Sequence, residues 1–250
     1  MAARPMSPHD TVSGDVQRPP AGPALALLEF RTVAAGIRAA DAMVKRAPLD
    51  TVHAGTVQPG HFLVLVSGEV ACVEEAVLAG GESGSHTLVG SILLPQVHHD
   101  VVRALVGTRD FGRVEALGIV ETWTAATILG AADAGVKAAD VDLVELRLAD
   151  GLHGKGYALF GGALADVEAA VEHAVASVQP PDMLVDCMVI PQIHGEMLAN
   201  LAGGARFTPL VRATSGAGTS DNAASPGASA GVGSGAGSDA GTRAASGTKG

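Results

Sequence analysis

The sequence predicts an α+β protein built of two tandem βαββαβ domains, and three observations carry the prediction. The chain repeats itself: residues 29–48 and 121–140 are identical at 10 of 20 aligned positions, with an offset of 92. Within each copy, short apolar runs alternate with stretches of helical period. Both copies then close on the same signature, Pro95-Gln96-Val97-His98 and Pro191-Gln192-Ile193-His194. A repeat of this length is a duplicated domain, since the periods of solenoid repeats are shorter.

Each element follows from local pattern. The apolar runs 25–30 and 117–122 read as opening strands. A helix follows each. Val33, Ile37, Ala40, Val44 and Ala47 recur at spacings of three and four, which places them on one face. Ala125, Leu129, Ala132, Val136 and Ala139 repeat the pattern, and these faces are expected to lie on the sheet. A hairpin comes next. Residues 51–56 lead through Val57-Gln58-Pro59-Gly60 into 61–66, and 141–149 lead through 150–155 into 156–160. Pro and Gly punctuate the turns. A second helix starts near Val70 and near Leu164. A fourth strand follows, at 91–94 and 184–190, and a short helix at 98–105 and 194–201 comes after the proline. The order βαββαβ implies a four-stranded sheet carrying two helices, the ferredoxin-like arrangement. The expected domains are 24–108 and 116–207, joined by a linker at 109–115.

The ends read differently. Residues 1–23 carry several prolines without periodicity, and 208–250 are rich in Gly, Ala and Ser. Such segments bury too little apolar surface to offset their ordering entropy, so disordered tails are expected. Over residues 1–23 and 213–250 the charges cancel, Arg4 and Arg18 against Asp10 and Asp15, then Arg243 and Lys249 against Asp221 and Asp239. The formal net charge of −10 therefore sits on the body. An acidic body without a basic cluster argues against nucleic acid. No segment approaches the roughly 18 apolar residues of a membrane span. Two cysteines, Cys72 and Cys187, argue against a disulfide scaffold or a Cys-rich zinc site.

Catalytic constellations are missing. No G-x-S-x-G, H-E-x-x-H or C-x-x-C appears, and residues 151–156 hold a G-x-x-G-K without the spacing and following Ser/Thr of a phosphate loop. His153 beside Lys155 has the chemistry for acid–base work, which leaves an enzyme as one reading. A soluble trimeric regulator that binds a metabolite between its domains is another. His98, His99 and Asp100 read as a polar helix start, because metal geometry needs three or four converging ligands.

The ordered motifs resemble a known family. A strand ending in Glu, then A-A-D-A-x-V-K, a Gly-containing hairpin turn, a V-E-x-A helix and P-x-x-H looks like the bacterial microcompartment shell domain. Two copies in tandem resemble the shell proteins that assemble as trimers, over about residues 24–207. The resemblance implies a homotrimeric, pseudohexameric tile, packed in a single layer beside hexameric and pentameric tiles around encapsulated enzymes. It places the chain in the shell of a microcompartment in the cytoplasm, as a structural component without catalysis or cofactor.

Site residues follow from the same resemblance. Read alone, Lys45 and Lys137 are solvated helix-end lysines that complement the helix dipole. In the family this lysine crosses the tile edge and donates to carbonyls of the neighbouring tile. Gln96 and His98, with Gln192 and His194, stand where relatives often carry P-R-P-H, also at the edge; here Gln replaces the Arg twice. The pore would be lined by Val57, Gln58, Pro59, Gly60 and His61 in the first copy and by Gly151, Leu152, His153, Gly154 and Lys155 in the second. Read alone, these are two ordinary turns. Some trimeric relatives hold an iron–sulfur cluster through a Cys before Pro-Gly; this chain has Gln58 there, so no cluster is expected. The rim is expected to be polar with positive or titratable character, easing passage of anionic or hydrogen-bonding metabolites.

Overall fold

A computed structural model describes residues 19–112 and 114–204. The first half runs β1 (Ala24–Phe30), α1 (Val33–Arg46), β2 (Thr51–Val57), β3 (His61–Gly68), α2 (Val70–Gly84), β4 (Leu88–Leu94) and α3 (His99–Leu105). The second half repeats it as β5 (Ala116–Thr122), α4 (Ala125–Ala138), β6 (Asp142–Leu148), β7 (Gly156–Gly162), α5 (Leu164–Ser177), β8 (Leu184–Ile190) and α6 (Gly195–Gly203). A short 3-10 turn precedes each fourth strand. The α+β prediction and the order of elements hold. The expected tails, apart from residues 19–23, lie outside the described residues.

Each half forms an antiparallel four-stranded sheet, ordered β2-β3-β1-β4 and β6-β7-β5-β8. The first strand is central in both. Ala26 faces Val66 on one side and Leu93 on the other, and Val120 faces Ala158 and Cys187. A register shift falls at Glu29/Phe30 and recurs at Glu121/Thr122, so the duplication is preserved down to an irregularity. β6 carries a further shift between Leu143 and Glu145 that β2 lacks.

The central strand β1 is buried along its whole length, because both faces of the sheet are covered. Ala26, Leu28 and Phe30 pack with Ala39 and Met43 of α1 and with Val73 and Ala76 of α2. Leu25 and Leu27 share the opposite side with Val101 and Ala104 of α3. Small residues set the spacing. A Cβ at Gly36 would stand 2.7 Å from Phe62 Cγ, and one at Gly80 would stand 2.7 Å from Met43 Sδ. Close approach by Ala and Gly explains how so few aromatics suffice, since dispersion gains depend on contact rather than on side-chain size.

The expected sheet-facing side of the first helix is corrected by the structure. α1 buries Ala35, Gly36, Ala39 and Met43. Val33, Ile37 and Val44 are exposed, Ile37 at 55% and Val44 at 48%. In α4 both sides are buried. Ile128, Ala131 and Gly135 stand at the positions that meet the sheet in α1, while Ala125, Leu129, Ala132 and Val136 are also covered. Those residues share one cluster with Ile92 and Val97 of the first half. The approach is close: a Cβ at Gly130 would lie 3.2 Å from Ile92 Cδ1, and one at Gly90 would lie 3.2 Å from Ala126 Cβ. The expected periodicity was therefore real, but it marks the face that joins one domain to another.

Candidate functional site: pore loops and the joint between domains

The two loops expected to line a pore come together. In the first, Val57 ends β2, Gln58-Pro59-Gly60 turns, and His61 opens β3, with Gly60 N donating to Val57 O at 2.9 Å. The second runs from Ala149 to Lys155 and is held by Ala149 N to Lys155 O at 3.1 Å and Leu152 N to Ala149 O at 3.0 Å. It needs left-handed backbone at Gly151 and Gly154, and also at His153, where φ is 59°. A side chain in that region is strained, a feature concentrated at functional loops. A Cβ at Gly154 would stand 3.3 Å from Pro59 Cδ and 4.0 Å from His61 Cε1. One loop thus rests on the other, Gly154 buried between them and His153 exposed.

Two basic side chains of these loops, His61 and Lys155, stand beside carboxylates, whereas His153 of the expected rim is exposed. His61 Nδ1 lies 2.7 Å from Glu29 Oε1, and Lys155 Nζ donates to Glu121 Oε1 at 2.5 Å. Glu29 and Glu121 are equivalent residues of the repeat, each on the central strand. Glu29 is fully buried. A buried carboxylate is costly unless its oxygens are satisfied, and the second oxygen of Glu29 accepts the backbone N–H of Ala125 at 2.9 Å. Ala125 is the first residue of α4. One carboxylate therefore ties the 57–61 loop of the first domain to the helix of the second.

The expected edge residues separate into a set that meets across the two domains and a set that does not. Lys137, Gln96 and His98 meet around Asp133. Lys137 Nζ donates to Gln96 O and to Asp133 Oδ2, both at 2.5 Å, and Asp133 Oδ1 accepts His98 N at 2.8 Å. Asp133 is buried within this knot, which again spans the two domains. In the other set, Lys45 pairs only with Asp41, at 2.6 Å, with both side chains more than half exposed. Gln192 and His194 are exposed, and His194 Nδ1 caps α6 by accepting Glu196 N. The roles of Glu29 and Asp133 were not assigned from sequence, although a signal existed: both recur at matched positions, as Glu121 and Asp41.

His98, His99 and Asp100 form the one group of possible metal ligands among the described residues. His99 is exposed and pairs with Asp100 of the same group, while the other two have further partners. His98 Nδ1 accepts Asp100 N, and Asp100 pairs with Arg103. Arg109, from the expected linker, pairs with Glu145 at 2.6 Å and donates to the carbonyl of Leu201, closing the C-terminal end of α6.

Two tandem four-stranded domains, each presenting a hairpin loop beside the other's, define the class. Residues 24–97 and 116–193 both match the BMC domain, and the chain belongs to that family. It is similar to the bacterial microcompartment shell protein PduT of Citrobacter freundii, 37% identical over 181 residues, covering 72% of this chain and 98% of the relative. The carboxysome assembly protein CcmO of Synechocystis is 27% identical over 202 residues, covering 75% of this chain and 67% of the relative. A crystal structure of a microcompartment protein from Desulfitobacterium hafniense superposes with a TM-score of 0.63 at 38% identity, covering 71% of this chain and 98% of that one.

Proposed function

We propose that this chain, a structural component of a bacterial microcompartment shell, works as one third of a pseudohexameric tile with a central pore for metabolites. One observation carries the reading. The joint inside the chain covers the Ala125, Leu129, Ala132 and Val136 face of α4 with β4, yet the equivalent face of α1 is open. On β8, the counterpart of β4, Met188 is 55% exposed. A chain thus carries one filled joint and two complementary half-joints. Repeating the internal step from chain to chain fills both, and three chains close a ring of six domains with a self-consistent cyclic interface.

In that ring the loops 57–61 and 151–155 alternate around the axis and form the pore. With His61 and Lys155 paired to carboxylates, the rim selects by size and hydrogen bonding more than by charge. Neutral polar metabolites fit it best. Lys45, Lys137, Gln96, His98, Gln192 and His194 lie at the outer corners, where single-domain hexamers and pentamers of the shell would meet the tile. Enzymes enclosed by the shell face one side of it. The reading assigns the chain no catalysis and no cofactor.

Coexpression with single-domain shell proteins tests the assignment. Electron microscopy of purified shells should find this chain incorporated at a fixed ratio. Shells that exclude the chain entirely would overturn it.

A further inference from the structure

We propose that Glu29 and Glu121 couple the pore loops to the domain joints, and that Glu121 completes its coupling on a second copy of the chain. The pattern is on view at Glu29. One oxygen holds His61 of the pore loop at 2.7 Å, and the other holds the first N–H of α4 at 2.9 Å, across the joint. Glu121 shows half of this arrangement. It holds Lys155 at 2.5 Å, but its side chain remains 28% exposed where that of Glu29 is at 0%. Among the described residues no element fills the other half. By the repeat, it is the first turn of α1 in a second copy, whose Val33 N corresponds to Ala125 N.

The first turn of α1 has the matching deficit. Thr32 makes no side-chain cap bond and the turn holds no acidic residue. α4 has two caps in the same place, Thr124 Oγ1 accepting Thr127 N and Glu29 accepting Ala125 N. Uncapped N–H groups carry the positive end of the helix dipole, so a carboxylate from a neighbour is favoured there. Burying it there strengthens both of its bonds by lowering the local dielectric.

Charge complementarity points to the same partner. Inside the chain the two domains approach closely at Gly130 on α4 and at Gly90 on β4. Their counterparts are Arg38 on α1 and Asp186 on β8. Two glycines that allow close approach within the chain are replaced, between chains, by a cation and an anion on facing elements. Arg38 already donates to Ser83 O and Asp186 accepts Cys187 N within the chain, and a second copy places these opposite charges on facing elements.

The Glu121 arm rests on the trimer reading above, whereas the Glu29 arm lies within one chain and does not. The consequence is that assembly sets the second pore loop: docking of the next chain buries Glu121 and fixes Lys155 through it. Glutamine has a single acceptor oxygen, so Glu121→Gln satisfies one of the two partners and Glu121→Ala neither.

Hydrogen exchange combined with native mass spectrometry on the full chain tests both arms. In Glu121→Ala, segments 31–36 and 149–156 should both exchange faster than in the wild type. Each joint should weaken by about tenfold or more, the loss of one charge-assisted bond. Glu29→Gln should raise exchange at 57–62 or 123–128 and leave the trimer intact. If Glu121→Ala stays trimeric with wild-type exchange at 31–36, the interchain coupling is wrong. If the wild type is a monomer, the tile reading fails, and Glu29→Gln then decides the coupling within the chain alone. Unchanged exchange at both of its segments would overturn that arm.

Discussion

At the residue scale, the fold depends on positions where a missing side chain is the point. Gly36 lets α1 lie on Phe62, and any Cβ there enters the ring's space. Gly36→Ala should lower stability by about 1–3 kcal/mol despite the better helix propensity of alanine, because overpacking outweighs that gain; urea unfolding reads the difference. Tyr157 offers a pH-dependent test. Burial, and then the nearby charge of Glu145, push its hydroxyl up to about 12 from 10.0. The native state therefore holds this proton more tightly than the unfolded chain. Its contribution is fully present below pH 10 and is lost as pH rises toward 12. The hydroxyl is buried without a hydrogen-bond partner among the described residues, so Tyr157→Phe should leave neutral-pH stability unchanged or slightly higher, and should flatten the alkaline limb of the stability profile. Such details were beyond the sequence. It placed Lys155 and His61 in the loops, but not Glu121 and Glu29 beside them, because the pairing of β1 with β3 and of β5 with β7 decides who faces whom.

At the scale of elements, the sequence told most about the strands and least about the helix faces. The boundaries of β1, α4 and β8 were legible from apolar runs, period and proline. The face of α1 was not. In an Ala-rich helix the larger residues, Val33, Ile37 and Val44, dominate the period, while the true sheet contact is made by Ala35, Gly36, Ala39 and Met43. Periodicity detects an apolar face without saying what covers it, and this helix has two. Ile37→Asp should therefore leave circular dichroism and melting of the isolated chain nearly unchanged while abolishing assembly, which gel filtration reads. The matched knots give a second comparison. Asp133→Ala removes the buried acceptor of His98 N–H and the partner of Lys137, and should cost about 1–3 kcal/mol of fold stability. Asp41→Ala removes only an exposed pair, worth less than about 1 kcal/mol in the single chain. A difference between the two in thermal unfolding of monomeric protein measures how much the filled joint adds.

At the scale of the whole molecule, the duplication explains the division of labour. Two fused domains need not be identical: the joint within the chain packs through Gly130 and Gly90, and in the proposed tile the joint between chains falls to Arg38 and Asp186. In the same proposal the two lysines stand at alternating corners. Lys137 already spends two donors inside the chain, whereas Lys45 holds only the exposed Asp41. Replacing Lys45 with Ala should weaken contacts between tiles, and replacing Lys137 should loosen the internal corner as well; imaging of sheets at high protein concentration distinguishes the two. The proposed ring rests on family resemblance and on the two open half-joints, because nothing in a single chain's pattern states how many copies close.

The central claim is that the open α1 face and the open β8 face are two halves of one joint. The most direct measurement is the native mass of the purified chain beside that of Ile37→Asp. Three copies of a 24.9 kDa chain, about 75 kDa, for the wild type and a single copy for the variant is the predicted result. A wild type that stays at one copy, or a variant that still assembles as three, would contradict it.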